Sequence, residues 1–287
     1  MKKEVLAIVV TYNRLQCLTE CLESICKQTF RNFDILVVNN GSTDGTREFL
    51  DSQSEIQKIH QKNLGGAGGF YSGMKYAYEK GYEWLWMMDD DGITDENQLM
   101  NLYTYRNKSI YLNALVLDRD NHDKLAFSHS YLNISEIKNA LVDDKFVQPF
   151  NGTFLHRTLI EKIGLIKKEM FIWGDEAEYT LRAKKAGVIP MTITTAIHYH
   201  PKEKAQRVCV IPFVSIEKLT ILKKPQQLSK YYYRNLGYIN ETYGGFGKNI
   251  ITMCKFCTYF LRTIQFSEMR KFIKFYLKGK RNDYSDF

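Results

Sequence analysis

Two short apolar runs limit the folds open to this chain. Residues 4–10 (Glu-Val-Leu-Ala-Ile-Val-Val) and 34–38 (Asp-Ile-Leu-Val-Val) each stop at a polar loop. Between them, residues 14–27 carry Leu15, Leu18, Leu22 and Ile25 at helical spacing. A second helix is expected from about Thr46. Strand, helix, strand, helix at this spacing predicts parallel strands joined by right-handed crossovers, an α/β fold. Ligands of such sheets bind beyond the carboxyl ends of the strands. The loops that occupy those ends are polar: Thr11-Tyr12-Asn13-Arg14 after the first strand, and Asn39 to Asp44 after the second.

A short strand is expected near residues 56–60, then Asn63-Leu64-Gly65-Gly66-Ala67-Gly68-Gly69 ahead of a helix from Ser72 to Lys80. Four glycines in five residues allow backbone N–H groups to approach a phosphate or a sugar, although such a run also serves as a simple helix entry. It lacks the terminal Lys-Ser/Thr of an ATP-type phosphate loop. The next strand, residues 83–88, ends in Asp89-Asp90-Asp91-Gly92. Three adjacent carboxylates repel one another unless a cation or solvent holds them. Hard oxygen ligands on a strand end suit a divalent metal. The alternative is an acidic turn opening the helix after Thr94.

Residues 96–107 are expected as a helix, 113–118 as a strand and 119–140 as a polar stretch. Phe150-Asn151-Gly152-Thr153-Phe154-Leu155 reads as a strand with a sharp glycine turn, followed by a helix from Arg157 to Ile163 closed by Gly164. In Trp173-Gly174-Asp175-Glu176, Asp175 is a plausible N-cap, with Glu176 in the first turn of a helix reaching Ala186. A carboxylate there is held as the anion, as a general base requires. A charged helix start that favours the macrodipole is the plainer reading. A strand over residues 188–197 ends in His198-Tyr199-His200-Pro201, and the two histidines share one strand face. Either could be a ligand, or a core or surface residue.

The formal net charge of +8 is unevenly spread. Residues 202–287 hold 17 basic and 6 acidic side chains, a balance of +11, against 23 and 26 in the remainder, a balance of −3. That basic excess points to an anionic surface as partner. A helix over 248–266 places Lys248, Lys255 and Arg262 seven residues apart, beside apolar neighbours. It could lie on anionic lipid or pack on the main domain with its basic side in water. The tail from Lys278 is expected to fray. The N-terminal apolar run is too short for a signal peptide or a membrane span. The six cysteines lack zinc-ligand grouping, and the chain reads as cytosolic and reduced.

These motifs occur in one order: Val9-Val10-Thr11-Tyr12-Asn13-Arg14, Val37 to Thr46, Asn63 to Gly69, Asp89-Asp90-Asp91, and Trp173-Gly174-Asp175-Glu176. In that order the chain resembles an inverting family 2 glycosyltransferase, near the bacterial galactofuranosyltransferases and rhamnosyltransferases of cell-surface polysaccharide assembly. The resemblance spans roughly residues 4–201. It implies a GT-A fold, Rossmann-like with a mostly parallel central sheet flanked by helices, in residues 1–201, and a C-terminal helical extension in 202–287. It places Thr11, Tyr12 and Asn39 at the nucleoside, Asn39 standing where many members have Asp, and Asn13 and Arg14 elsewhere in the donor site. Asn63, Gly68, Gly69 and Asp90 would lie at the donor sugar. Asp89 and Asp91 would bind Mg²⁺ or Mn²⁺ with His200, or alternatively His198. Glu176 would be the general base, paired with Asp175, and Trp173, Asn151 and Gly152 would meet the acceptor.

The partners so implied are a nucleotide-diphosphate sugar, UDP first among carriers, and a lipid-linked glycan acceptor. The place implied is the inner face of the cytoplasmic membrane, peripherally bound. Nucleic acid is not expected, and a homo-oligomer stays open. Competing readings are a dTDP-rhamnose enzyme, a nucleotidyltransferase, or a non-catalytic sugar-nucleotide-binding subunit of the same fold. A nucleotidyltransferase would carry a Gly-rich basic loop directly after the first strand, and Thr11-Tyr12-Asn13-Arg14 is not one.

Overall fold

The computed structural model describes residues 3–127, 134, 142–143, 150–202, 206–211 and 219–285. Most of the polar stretch 119–140 lies outside them. The chain divides into two compact units. The first comprises residues 1–168 and 179–203. The second comprises 169–178 and 204–287.

The first unit is built on a nine-stranded sheet. Strands β1 (Val5–Thr11), β2 (Phe33–Asn39), β3 (Gln57–His60) and β4 (Trp84–Asp89) run parallel in the order β3-β2-β1-β4. Helices α1 (Leu15–Cys26), α2 (Thr46–Ser52) and α3 (Gly65–Glu79) connect them. Beyond β4 come β8 (Thr153–His156), β6 (Tyr111–Asp118) and β9 (Met191–His200). β8 is antiparallel to β4 and to β6, whereas β6 and β9 are parallel. Two short strands, β5 (Ile93–Thr94) and β7 (Val142–Asp143), pair antiparallel with β9. Helix α4 (Gln98–Thr104) follows β5, and α5 (Arg157–Ile163) follows β8.

Every residue of β1 is buried, and alternate side chains enter separate cores. Val5, Ala7 and Val9 pack with Leu18, Leu22 and Ile25 of α1. Leu6, Ile8 and Val10 pack with Phe70, Met74 and Ala77 of α3. Covered on both faces, β1 reads as a continuous apolar run rather than an alternation.

The glycine run is not the loop expected. Helix α3 starts at Gly65, so these glycines form its first turn. A Cβ on Gly69 would overlap Val10 Cγ1, and one on Gly68 would overlap Leu64 Cβ. Gly69 is small because the helix lies close against β1, and Gly68 because Leu64 at the helix entry folds back over it. Gly68 and Gly69, expected at the donor sugar, are buried in this turn.

The second unit opens with the 3₁₀ turn Lys168–Met170, whose Glu169 and Met170 it contains, and the first turn of α6 (Asp175–Lys185). It continues with an antiparallel hairpin, β10 (Gln206–Cys209) and β11 (Thr220–Lys223), which no sequence pattern announced. Helices α7 (Ser229–Ile239), α8 (Gly245–Arg262) and α9 (Phe266–Lys280) follow. Their core is largely aromatic: Tyr233, Phe256, Tyr259, Phe260, Phe272 and Tyr276. Phe256 and Phe272 stack with centroids 4.5 Å apart. A Cβ on Gly279 would overlap the carbonyl oxygen of Arg234, so α7 and α9 meet backbone to backbone at that point. The expected single helix over 248–266 breaks after Arg262, and the residues expected to fray, Lys278 to Lys280, close α9.

Candidate active site

The loops beyond β1, β2 and β4 converge. Residue Val10 of β1 is level with Asp89, so the acidic triplet emerges beside Thr11. The first two loops brace each other. The Asn13 N–H donates to Ser42 Oγ at 2.9 Å, and Asn13 Oδ1 accepts from the Thr43 N–H at 2.7 Å. Asp44 Oδ2 accepts from the Leu15 N–H at 2.9 Å, satisfying an open donor in the first turn of α1. Asn13 holds φ at 52°, a left-handed conformation in which Asn is favoured among side-chain-bearing residues. Tyr12 is left exposed at the rim.

Asn39 is committed to this bracing. Its Oδ1 accepts from the Ser42 N–H at 2.9 Å, its Nδ2 lies 3.2 Å from His60 Nδ1, and the residue is buried. His60 Nε2 in turn lies 3.2 Å from Asp51 Oδ1. The sequence reading overlooked His60, since a histidine at the end of a short strand carries no motif. Asn63 Oδ1 accepts from the Gly65 N–H at 2.9 Å, so Asn63 closes the entry to α3.

The three aspartates have three environments. Asp90 is buried, and its Oδ2 accepts from Thr11 Oγ1 at 2.7 Å. Burial pushes its pKa up to about 6, against the pull of the Thr11 hydrogen bond and the Arg14 charge. Arg14 Nη1 bridges Asp90 Oδ1 at 3.2 Å and Asp91 Oδ2 at 2.6 Å. Asp91 Oδ1 lies 3.1 Å from His200 Nε2. Burial raises the Asp91 pKa, but His200 and Arg14 outweigh it and hold the carboxylate below its ordinary value. For His200 burial lowers the pKa, and the bond and charge of Asp91 reverse that and raise it.

Asp89, Asp91 and His200 each offer one ligand atom, and these atoms all lie within 4.8 Å of one another. The donor set fits a divalent cation. His200 Nδ1 lies 2.7 Å from the Pro201 carbonyl oxygen and donates to it. A neutral His200 therefore aims its Nε2 lone pair at Asp91 Oδ1, a buried oxygen with no other hydrogen-bond donor. Two facing lone pairs require a positive charge, either a proton or a metal ion.

His198 does not join this group. It shares the strand face of His200 but lies deeper, fully buried. A Cβ on Gly92 would collide with its Nε2, and its Nδ1 is 3.5 Å from Gln98 Oε1. Burial, helped by the His200 charge, pushes its pKa down to about 3, so the ring is neutral. Asn151 and Gly152, expected to meet the acceptor, are also buried. Gly152 donates its N–H to the Met87 carbonyl and accepts from the Ala114 N–H, both at 3.0 Å, stitching β4 to β6. It is a glycine because φ is 77° and because a Cβ would overlap Gln98 Nε2.

Trp173, Asp175 and Glu176 belong to the second unit. Phe171 and Trp173 both hold positive φ, 65° and 62°, with Gly174 at 105°. Strain of this kind persists only where its surroundings enforce it. Asn235 does so. The residue is buried, and its Nδ2 donates to the carbonyl oxygens of Met170 at 2.8 Å, Ile172 at 3.1 Å and Trp173 at 2.8 Å. Phe171 stacks on Tyr231 with centroids 4.3 Å apart, and Lys224 Nζ lies 4.8 Å over the Trp173 ring. Asp175 is the first residue of α6 and is buried, while Glu176 is half-buried. Asn235 lies sixty residues further on in a Tyr-rich helix, and no motif marked it.

Comparison with known proteins gives the family and the fold. The galactofuranosyltransferase GlfT1 of Mycobacterium tuberculosis (strain H37Rv) is 30% identical over 216 residues, 70% of this chain and 71% of that protein. The GlfT1 of Mycolicibacterium smegmatis is 27% identical over 214 residues, 69% of this chain and 70% of its own length. Among solved structures, residues 1–349 of S. aureus TarS superpose with a TM-score of 0.60 at 16% identity, covering 96% of this chain and 80% of that one. The mannosyltransferase PcManGT from Pyrobaculum calidifontis, in complex with GDP-Man and Mn²⁺, gives 0.55 at 15% identity, covering 83% and 63%. These likenesses establish the fold as GT-A. Residues 6–164 match the model of Glycosyl transferase family 2, and the chain belongs to that family of transferases.

Proposed function

We propose that this glycosyltransferase is metal-dependent and inverting, and that it moves galactofuranose from UDP-galactofuranose onto a lipid-linked glycan of a surface polysaccharide. The observation that carries the metal is the facing of Asp91 Oδ1 and His200 Nε2, with Asp89 inside the same 4.8 Å group. The galactofuranosyl choice is supported by the two mycobacterial relatives. Mg²⁺ or Mn²⁺ held by Asp89, Asp91 and His200 would supply positive charge to the donor diphosphate as it leaves.

The rest is work for the chain's own side chains. Thr11, Tyr12, Asn13 and Arg14 line the nucleotide end, and the braced loop 39–46 keeps that rim rigid. Arg14, already set between two aspartates, adds a side-chain cation beside the ligand set that would hold the metal. Glu176 accepts the proton of an acceptor hydroxyl. That oxygen forms its bond to the anomeric carbon as the bond to the diphosphate oxygen breaks on the opposite face. A single displacement inverts the anomeric configuration. Asp175 holds the first turn of α6, and Trp173 offers a ring face to the acceptor sugar. We place the reaction at the inner face of the cytoplasmic membrane, where a lipid-linked acceptor is presented.

The test is a panel of UDP-, dTDP- and GDP-sugars with a lipid-linked acceptor extract, read by product mass with and without chelator. Transfer from UDP-galactofuranose that EDTA abolishes and Mn²⁺ restores is expected. Transfer from dTDP-rhamnose alone would move the donor to the rhamnosyl reading. Glu176→Gln should lose transfer while keeping donor binding. A Glu176→Gln chain as active as the parent removes Glu176 as base, and no transfer by the parent under any donor favours a binding subunit.

A further inference from the structure

Helix α8 has a second apolar face. Its first face is spent on the aromatic core through Phe256, Tyr259 and Phe260. An amphipathic helix that packs only inward should turn polar residues outward. Instead Phe246 is 80% exposed, and Ile250, Ile251 and Leu261 are about half exposed or more. At about 100° per residue these four side chains fall in one arc of about 140°. Lys248, Lys255 and Arg262 occupy a narrow band of about 40° at the edge of that arc. The basic stripe is outward, with Lys248 and Arg262 exposed, and beside it the outward face is apolar.

The apolar surface continues past the end of the helix. Ile264, in the turn to α9, is 75% exposed and holds φ at 57°, and Phe266 at the start of α9 is about half exposed. Helix α9 turns Arg270 and Lys274 outward. The only carboxylate on either helix is Glu268, and it points inward to Ser229, Tyr233 and Lys271. Two helices therefore present large apolar side chains and positive charge, with no outward acid among them.

We propose that this face of α8 and the α8–α9 turn docks on an anionic lipid leaflet, with Phe246, Ile264 and Phe266 entering the headgroup boundary and the flanking bases meeting lipid phosphate. Charge chooses the occupant. A second copy of the same face would bring like charges together, whereas an anionic bilayer complements them. Among the described residues no helix is long and apolar enough to cross a membrane, so this contact is peripheral. The proposal supplies the lipid-facing partner for the reaction suggested above, but its test does not use that reaction.

The experiment is co-sedimentation of the full chain with vesicles of phosphatidylcholine, with and without phosphatidylglycerol. Binding to the anionic vesicles that weakens with salt is expected. The triple variant Phe246→Ser, Ile264→Ser, Phe266→Ser should bind at least about tenfold more weakly, with its melting temperature unchanged. Lys248→Gln and Arg262→Gln should each cost about fivefold on anionic vesicles only. Absence of anionic binding at low salt, equal binding to neutral vesicles, or a triple variant that binds like the parent each overturns the proposal. So does a parent chain that self-associates in sedimentation velocity through the residues the triple variant removes. Vesicle binding without any sugar transfer would count against the proposed reaction and leave docking standing.

Discussion

Gly92→Ala probes how the acidic loop is seated. The new Cβ would overlap His198 Nε2 and lie 2.7 Å from His198 Cε1. Carbon atoms at rest in a core sit about 3.5–4.0 Å apart, so ring or loop must move by about 1 Å. The ring has little freedom: His198 is fully buried, and β9 is held by β6 on one side and by β5 and β7 on the other. The loop therefore gives way, and Asp89 and Asp91 move with it. Overpacking of this size costs about 1–3 kcal/mol. A displacement of about 1 Å at reacting groups can cost about 100-fold in rate. The assay is a double-mutant cycle with His198→Ala, reading chemical denaturation together with Mn²⁺ affinity and transfer rate. Removing the ring makes room for the methyl, so the pair should be coupled by at least about 1 kcal/mol and should recover metal affinity relative to Gly92→Ala. Strict additivity, or a Gly92→Ala chain with parental stability and metal affinity, would refute the reasoning.

Other consequences follow from single residues. Asp91→Asn and His200→Ala should each weaken Mn²⁺ binding, read by electron paramagnetic resonance of the free ion, by more than the roughly 10–100-fold that outer-shell partners are worth; parental affinity in both would dissolve the proposed ligand set. Asn235→Ala leaves the carbonyls of Met170, Ile172 and Trp173 without their shared donor and should cost about 1–3 kcal/mol, with faster amide exchange over residues 170–176; unchanged exchange there would show the strained turn holds itself. For Glu268, burial raises the pKa, but hydrogen bonds from Ser229, Tyr233 and Lys271 outweigh it and leave the folded value below the unfolded one. Its stabilisation is then complete above the unfolded pKa of about 4.3 and is lost as pH falls through the lower folded value. Acid unfolding of the C-terminal helices, followed by circular dichroism, should weaken in pH dependence in Glu268→Gln; an identical pH profile would count against it.

The parallel half of the sheet was legible because burial on both faces writes itself as unbroken apolar runs, and β1, β2 and β4 fall within a residue or so of where those runs predicted them. The converging loops were legible because small polar residues gather where a sheet ends. Sequence alone did less well with glycine, whose letter does not say whether it frees a backbone or vacates a space. Gly68 and Gly69 looked like a ligand loop, and the structure puts them in a helix turn where they leave clearance for the helix's own Leu64 and for Val10. In the second unit the hairpin β10–β11 was invisible, since its strands are four residues long, with β10 mostly exposed and only Ile221 of β11 buried. Helix α8 showed its bases in sequence, but the direction those bases face depends on which other side the aromatic core claims, and only packing settles that.

The two histidines show why face alone does not make a ligand. Alternation puts His198 and His200 on one side of β9, and no property of the strand separates them. The difference comes from the segment opposite. β5 runs antiparallel to β9 with Thr94 level with His198 and Ile93 level with Tyr199, so the residues just before β5 are carried toward His200. Asp91 then meets His200, and Gly92, one residue later, has no side chain to keep His198 from filling the space beneath it. The pair Asp91-Gly92 thereby sorts His200 from His198: a carboxylate draws one imidazole toward the solvent-facing site, and a missing side chain lets the other become core. A chain with Ala at 92 and a smaller residue at 198 should keep His200 in place, and the double-mutant cycle at these positions measures that separation directly.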